Sequence, residues 1–149
     1  MHRRNLLSAA ATAAAATFAL LRSGGRAQAA AADAGKVAYH LADLDKVMFV
    51  LGNIKNHIES TGGPGKVTIV LVVHGPALKS FRVSGVSDEV AQQVAGFLKS
   101  GVELDACGNT MRAQNVTLKE LLPGFVKVDQ GGVVRLAELQ AQGFVYLRP

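Results

Sequence analysis

The chain has 149 residues, of which 49% are hydrophobic and 18% charged, a composition that predicts one folded domain and excludes a disordered chain. A single cysteine excludes a disulfide framework, a zinc site built on several cysteines and an iron–sulfur cluster. Aromatic residues make up 5% of the chain, without tryptophan, so a surface of exposed rings for stacking on bases or sugars is not expected.

Residues 1–29 have the pattern of an export signal. Arg3 and Arg4 precede an uncharged, alanine-rich run over residues 6–21, and the triplet 27–29, which ends at Ala29, has the small-x-small form of a cleavage site. Paired arginines before a mildly hydrophobic run are typical of the twin-arginine route. The run of about 16 residues is short for a membrane span. We therefore predict cleavage near Ala29 and a periplasmic protein.

The positive charge of the chain belongs mostly to this segment. Its removal takes away four arginines and no carboxylates, so Lys plus Arg falls from 16 to 12 against 11 Asp plus Glu, and the net charge falls from +5 to about +1. The remaining Lys and Arg form no cluster, and neither nucleic acid nor a membrane surface is predicted as a partner. Residues 30–35 are predicted to be a flexible lead-in, and 36–149 a single domain.

The domain begins with a short apolar strand, Lys36–Leu41. Asp43 is the predicted N-cap of a first helix, which the glycine-rich residues 61–65 end. Residues 66–74 follow as the strongest strand, because an unbroken run of Val, Ile and Leu is typical of a central strand buried on both faces. Residues 77–86 are poorly patterned and are predicted to be a loop or a short helix.

Ser87 is predicted to begin a second helix that ends at Gly101. Residues 102–106 form a third strand, and two short helical pieces follow it. The second of these pieces opens with Thr117 and Glu120 at capping-box spacing. The remaining predicted elements are a strand over Phe125–Val128, a helix over 133–142 and a last strand over 144–147.

This alternation predicts an α/β domain, namely a doubly wound, mainly parallel five-stranded sheet with helices on both faces. In such sheets, ligands and chemistry gather just beyond the carboxyl ends of the strands. The rule selects three groups of residues: His40 at the first strand, His74 and Gly75 after the second, and Cys107, Gly108, Asn109 and Thr110 after the third.

Cys107 carries the sharpest chemical prediction. Free backbone N–H groups of Gly108, Asn109 and Thr110 would stabilise its thiolate, and His74 would assist as a donor or a base. A nucleophilic thiolate that is not part of a dithiol suits the carriage of sulfur as a persulfide, or attack on another chain's disulfide. The alternative is a buried apolar cysteine with a packing role, since free cysteine is among the most buried residue types.

The remaining polar residues point to simpler roles. His40 and His74 lie at strand ends, where a polar side chain often satisfies loop carbonyls. Their imidazoles and the Cys107 thiolate are chemically suitable metal ligands. The sequence, however, has no short ligand motif such as H-x-x-H or C-x-x-C, and neither a metal nor another cofactor is predicted. Glu103 and Asp105 alternate on one strand face and are interpreted as solvated carboxylates.

Several short motifs, taken in their order and spacing, resemble the DsrE/DsrF-like family. They are Tyr39-His40-Leu41 followed by Asp43, Gly52-Asn53-Ile54-Lys55-Asn56-His57, Val73-His74-Gly75-Pro76, Cys107-Gly108-Asn109-Thr110, Leu121-Leu122-Pro123, the run GVVRLAELQ over 132–140, and Tyr146-Leu147-Arg148-Pro149. The resemblance extends from about Lys36 to the end of the chain. It is greatest to the exported branch of the family, whose members carry a signal peptide.

The resemblance implies a doubly wound α/β sheet, a homo-oligomer such as a trimer or hexamer, and a link to sulfur trafficking. In that setting a single cysteine near a strand end accepts and passes on sulfane sulfur, and Cys107 holds that position here. The residues expected to shape its pocket are His40, His74, Gly75, Gly108, Asn109 and Thr110. The expected partner is a periplasmic sulfur donor or acceptor protein. The alternative is a non-enzymatic oligomer that binds a small ligand or a partner's tail and whose cysteine is structural.

Overall fold

The computed structural model describes residues 35–149. The predicted export signal, with all but the last residue of the lead-in, lies outside the described residues. Among those described, no helix combines the length and apolarity that crossing a membrane requires.

Strands and helices alternate along the described part of the chain, as predicted. The strands are β1 (Lys36–Leu41), β2 (Thr68–Val73), β3 (Glu103–Cys107), β4 (Phe125–Val128) and β5 (Val145–Leu147). The α-helices are α1 (Val47–Ser60), α2 (Asp88–Lys99), α3 (Gly108–Ala113) and α4 (Gly132–Ala141), and short 3-10 turns cover Leu44–Lys46, Gly75–Phe81 and Leu118–Glu120.

The five strands form one sheet in the order β4-β3-β2-β1-β5, with every neighbouring pair parallel. The predicted fold class is confirmed, and the sheet is entirely rather than mainly parallel. β2 lies in the centre, and its residues from Ile69 to Val73 are buried. A strand flanked by helices on both faces must be apolar on both sides, which explains its unbroken aliphatic run.

Alternate residues of the strands face two separate cores. On one face, Ile69, Leu71 and Val73 pack in the larger core with the buried residues of α1 and α2. On the other face, α4 alone contributes helical residues to a smaller core, which consists of Ala38, Val70, Val72, Leu136 and Leu139 with Phe144 packed against it. The site described below lies on this second face.

Local sequence rules explain two of the helix starts. The Ser87 hydroxyl accepts a hydrogen bond of 3.3 Å from the N–H of Val90, as an N-cap should. The capping box is also present, with the N–H of Thr117 donating to Glu120 at 2.8 Å.

Asp43 occupies the N-cap position of the 3-10 turn that leads into α1, but the predicted side-chain cap is absent. A 3-10 turn intervenes, so α1 begins only at Val47, and the side chain of Asp43 makes no capping hydrogen bond. Its carboxylate instead accepts a hydrogen bond of 3.0 Å from Arg148, close to the end of the chain. A tertiary ion pair has thus replaced the local cap.

Candidate functional site

The parallel sheet brings the carboxyl ends of β1, β2 and β3 to one edge. His40 lies in β1, His74 directly follows β2, and Cys107 is the last residue of β3. His74 and Cys107 both contact the start of α4, since a Cβ built on Gly132 would lie 3.4 Å from the Cβ of each. The residues selected from the sequence are therefore neighbours in space.

Cys107 is surrounded by hydrogen-bond donors although it is only 5% exposed. Burial raises the pKa of the thiol, but hydrogen bonds from the Thr110 hydroxyl and from the backbone N–H groups of Thr110, Gly132 and Asn109 outweigh it. The net result is a pKa below the ordinary value for cysteine. The side chain is therefore a buried thiol that loses its proton more readily than an ordinary cysteine.

The orientation of the Thr110 hydroxyl depends on Gly75. The N–H of Gly75 donates to Thr110 Oγ1 at 2.9 Å, so that oxygen acts as an acceptor there and its own proton is free to point to the sulfur. The carbonyl of Gly75 accepts a hydrogen bond of 2.8 Å from Gln114 Nε2, which holds the turn from the other side. Gly75 thus acts on the thiol through Thr110.

Three glycines allow two helix starts to meet at Cys107. A Cβ on Gly108 would lie 2.9 Å from the carbonyl oxygen of Val128, and one on Gly131 would overlap the amide of Asn109. Gly131 also has a φ of +92°, in the left-handed region that favours glycine. Gly132 begins α4 and supplies one of the donors to the sulfur.

Gly132 was not among the site residues expected from the sequence. The expected donors came from the residues that directly follow Cys107, whereas Gly132 follows the next strand of the sheet, β4. The adjacent pair Gly131-Gly132, placed between a strand and a helix, is the sequence feature that could have indicated a close backbone approach.

The two histidines form a pair next to the thiol. The Nε2 atoms of His40 and His74 contact each other, their rings stack with centroids 4.6 Å apart, and a hydrogen bond of 2.6 Å joins His40 Nδ1 to the Tyr146 hydroxyl. We expected His74 to assist Cys107 directly, but its Nε2 atom contacts His40 instead. Tyr146, contributed by β5, was not expected at this site.

The histidine pair is poorly able to hold a positive charge. Burial lowers the pKa of His40 to about 4, with further lowering by His74 and Arg148 and a partial opposing effect from Asp43. Burial and Arg148 also lower the pKa of His74. Both imidazoles are consequently neutral near pH 7, and one must donate its Nε2 proton to the other.

Asp105 is not the solvated carboxylate that the sequence suggested. It lies on the same face of β3 as Cys107, is fully buried, and accepts a hydrogen bond of 2.6 Å from Arg135 Nε of α4. Arg135 Nη2 also donates to Glu103 at 2.7 Å. Burial raises the pKa of Asp105 to about 6 although Arg135 opposes the rise. Only α4 packing on this face makes the position buried, which the strand alone could not reveal.

No metal site is apparent in residues 35–149, where no three His, Cys, Asp or Glu side chains are grouped so as to hold an ion. A groove of about 410 Å³ between α1 and α2 is remote from the thiol. It is lined in part by Gly63, Pro64 and Ser100, which precede β2 and β3, so it opens near the amino ends of the strands.

No family model and no curated protein matches the chain. Among solved structures, the chain is similar to the protein of unknown function MTH1491 from Methanobacterium thermoautotrophicum, with 26% identity and a TM-score of 0.68 over 77% of this chain and 99% of that one. It is also similar to the ychN protein from E. coli, with 13% identity and a TM-score of 0.58 over 76% and 99% of the two chains.

A third similar structure is the conserved protein of unknown function BT1422 from Bacteroides thetaiotaomicron. Its identity is 18% and its TM-score 0.56, over 78% of this chain and 97% of that one. All three structures are matched over nearly their whole length. The comparisons therefore show that the chain shares the α/β fold of these three structures.

Proposed function

We propose that the protein is a DsrE-like carrier of sulfane sulfur, which it holds as a persulfide on Cys107. The observation that carries the proposal is the set of donors around this sulfur: one hydroxyl and three backbone N–H groups, which lower the pKa of the thiol despite its burial. Thiolates, rather than thiols, attack sulfur–sulfur bonds. Three of the four donors are backbone N–H groups, whose positions are set by the fold.

The proposed transfer needs no oxidant or reductant beyond the two sulfur compounds. The Cys107 thiolate attacks the outer sulfur of a donor persulfide or polysulfide, and a new S–S bond forms at Sγ. The bond between that outer sulfur and the donor breaks, and the donor leaves as a thiolate, or a shorter polysulfide, with the electron pair. An acceptor thiolate then attacks the outer sulfur on Cys107 and regenerates the cysteine thiolate.

The location and the partners belong to the same proposal. The twin-arginine pattern of residues 1–29 supports a periplasmic protein, and the partner is then a periplasmic sulfur donor or acceptor protein. A homo-oligomer is part of the proposal because the resemblance to the DsrE/DsrF-like family implies one.

The low exposure of Cys107, 5%, favours a second candidate. In this alternative the cysteine is structural, and the protein is a non-enzymatic oligomer that binds a small ligand or a partner's tail. The two candidates differ in the behaviour of the folded protein towards sulfur donors.

Intact-mass spectrometry separates the candidates. The full chain is incubated with inorganic polysulfide and compared with the Cys107→Ser variant, both native and after unfolding in denaturant. A carrier gains the mass of one or more sulfur atoms in the native state, the gain is reversed by a thiol reductant, and the variant gains nothing. A native protein that stays unmodified, while its unfolded form reacts, would rule the carrier out.

A further inference from the structure

The helix α4 supplies a donor to Cys107 but has little apolar contact with the strand that carries it. The small core beneath α4 contains Leu136 and Leu139 of the helix with residues of β1 and β2, and none of β3. On that face β3 presents Glu103, Asp105 and Cys107. The contact between α4 and β3 is therefore made largely by charged groups.

Arg135 makes this contact with two carboxylates at once. Its Nε donates to Asp105 at 2.6 Å and its Nη2 to Glu103 at 2.7 Å, and the side chain is only 19% exposed. Two hydrogen bonds from one planar guanidinium fix both position and direction, as a lysine ammonium could not. Asp105 is fully buried, so the interaction is screened very little by solvent.

The same residue is linked through the backbone to the glycine turn over the thiol. The N–H of Arg135 donates to the carbonyl of Gly131 at 3.0 Å, within the first turn of α4. Gly132, which donates its N–H to the sulfur, lies in that turn. The Arg135 side chain and the Gly132 donor therefore belong to the same turn of the helix.

We propose that Arg135 is a positioning residue which, by binding Asp105 and Glu103, holds the first turn of α4 where the Gly132 N–H donates to Cys107 Sγ. This inference rests on the proposed function of Cys107. Arg135 acts on the sulfur through the backbone and does not touch the transferred atom.

The test follows the rate of alkylation of Cys107 by iodoacetamide against pH in the full chain. Arg135→Gln should raise the thiol pKa by about one unit. Below that pKa the fraction of thiolate, and with it the alkylation rate, then falls roughly tenfold. Arg135→Lys, which keeps the charge but not the two-pronged geometry, should also lower it, and it replaces Arg135→Gln if that variant does not fold. Lys55→Gln removes a cation from the exposed α1 pair with Glu59, on the other face of the sheet from the thiol, and should leave the rate unchanged.

Asp105→Ala distinguishes positioning from simple electrostatics. Removal of a nearby negative charge by itself favours the thiolate and would raise the alkylation rate below the pKa. Loss of the Arg135 anchor has the opposite effect, so the proposal predicts a lower rate. Hydrogen exchange of the Gly132 amide should also become faster in both Arg135→Gln and Asp105→Ala.

A faster reaction in Asp105→Ala, or an unchanged pH profile in both Arg135 variants, would overturn the inference. The polysulfide experiment is independent of these outcomes. Slower alkylation in the variants, without any gain of sulfur by the native protein, would support the positioning role and refute the carrier. A gain of sulfur by the native protein, with unchanged alkylation in the variants, would support the carrier and refute the positioning role.

Discussion

The backbone N–H of Gly75 donates a 2.9 Å hydrogen bond to Oγ1 of Thr110, and the Thr110 hydroxyl in turn donates to the sulfur of Cys107. These two hydrogen bonds join the end of β2 to the thiol at the end of β3. They turn a flexible hydroxyl into a directed donor, because the oxygen that accepts from Gly75 has its proton available for the sulfur.

Thr110→Val should raise the pKa of the Cys107 thiol, because valine keeps the shape of threonine but lacks the hydroxyl. A hydrogen bond to a charged group contributes about 1.5–3 kcal/mol, so alkylation below the pKa should slow by roughly tenfold or more. Thr110→Ser keeps the hydroxyl and should retain most of the rate. Equal pH profiles for the wild type and Thr110→Val would show that the hydroxyl does not stabilise the thiolate.

Gly131→Ala should destabilise the fold more than Gly101→Ala. Both glycines have positive φ, +92° and +82°, but the ψ of 156° at Gly131 lies in a region essentially restricted to glycine, where alanine costs about 1–3 kcal/mol. Gly101 has open space at its Cβ position, whereas a Cβ at Gly131 would overlap the Asn109 side chain. Urea unfolding measures the two free energies, and an equal loss would mean that neither the backbone conformation of Gly131 nor its contact with Asn109 adds a cost.

Protonation of His40 should destabilise the protein in acid. Its folded pKa of about 4 lies below the ordinary 6.5, so the unfolded chain binds the proton first. Neutral His40 makes its full contribution to the free energy of unfolding above pH 6.5. On the order of 3 kcal/mol of that free energy is lost as the pH falls towards 4. The free energy of unfolding of wild type relative to His40→Gln should fall over this range. A constant difference between the two proteins would contradict the low pKa.

Asp105 should have the opposite pH dependence. Its folded pKa of about 6 lies above the ordinary 3.8, so the folded state keeps the proton to higher pH than the unfolded state. Stability from this group is greatest below about pH 4 and is lost as the pH rises through 6, by on the order of 3 kcal/mol. Relative to Asp105→Asn, the wild type should therefore lose stability between pH 4 and 7. A relative gain over that range would show that Arg135 outweighs burial.

Several elements followed from local sequence because local physics determines them. β1 and β4 have the predicted bounds, Lys36–Leu41 and Phe125–Val128. A short apolar run with turn residues on both sides leaves little freedom in where the strand begins and ends. β3 was placed one residue too early, over 102–106, because the strand continues to Cys107, which is also the residue before α3.

The sequence by itself determined the α/β alternation, the central place of β2 and the cysteine at a carboxyl end, because apolar periodicity and chain connectivity require only neighbouring residues. The tertiary structure alone decided that Gly132 donates to the thiol, that His74 pairs with His40, and that Asp105 is buried against Arg135. These relationships join residues of different elements, and the way in which α4 packs across the sheet sets both their distances and the local polarity.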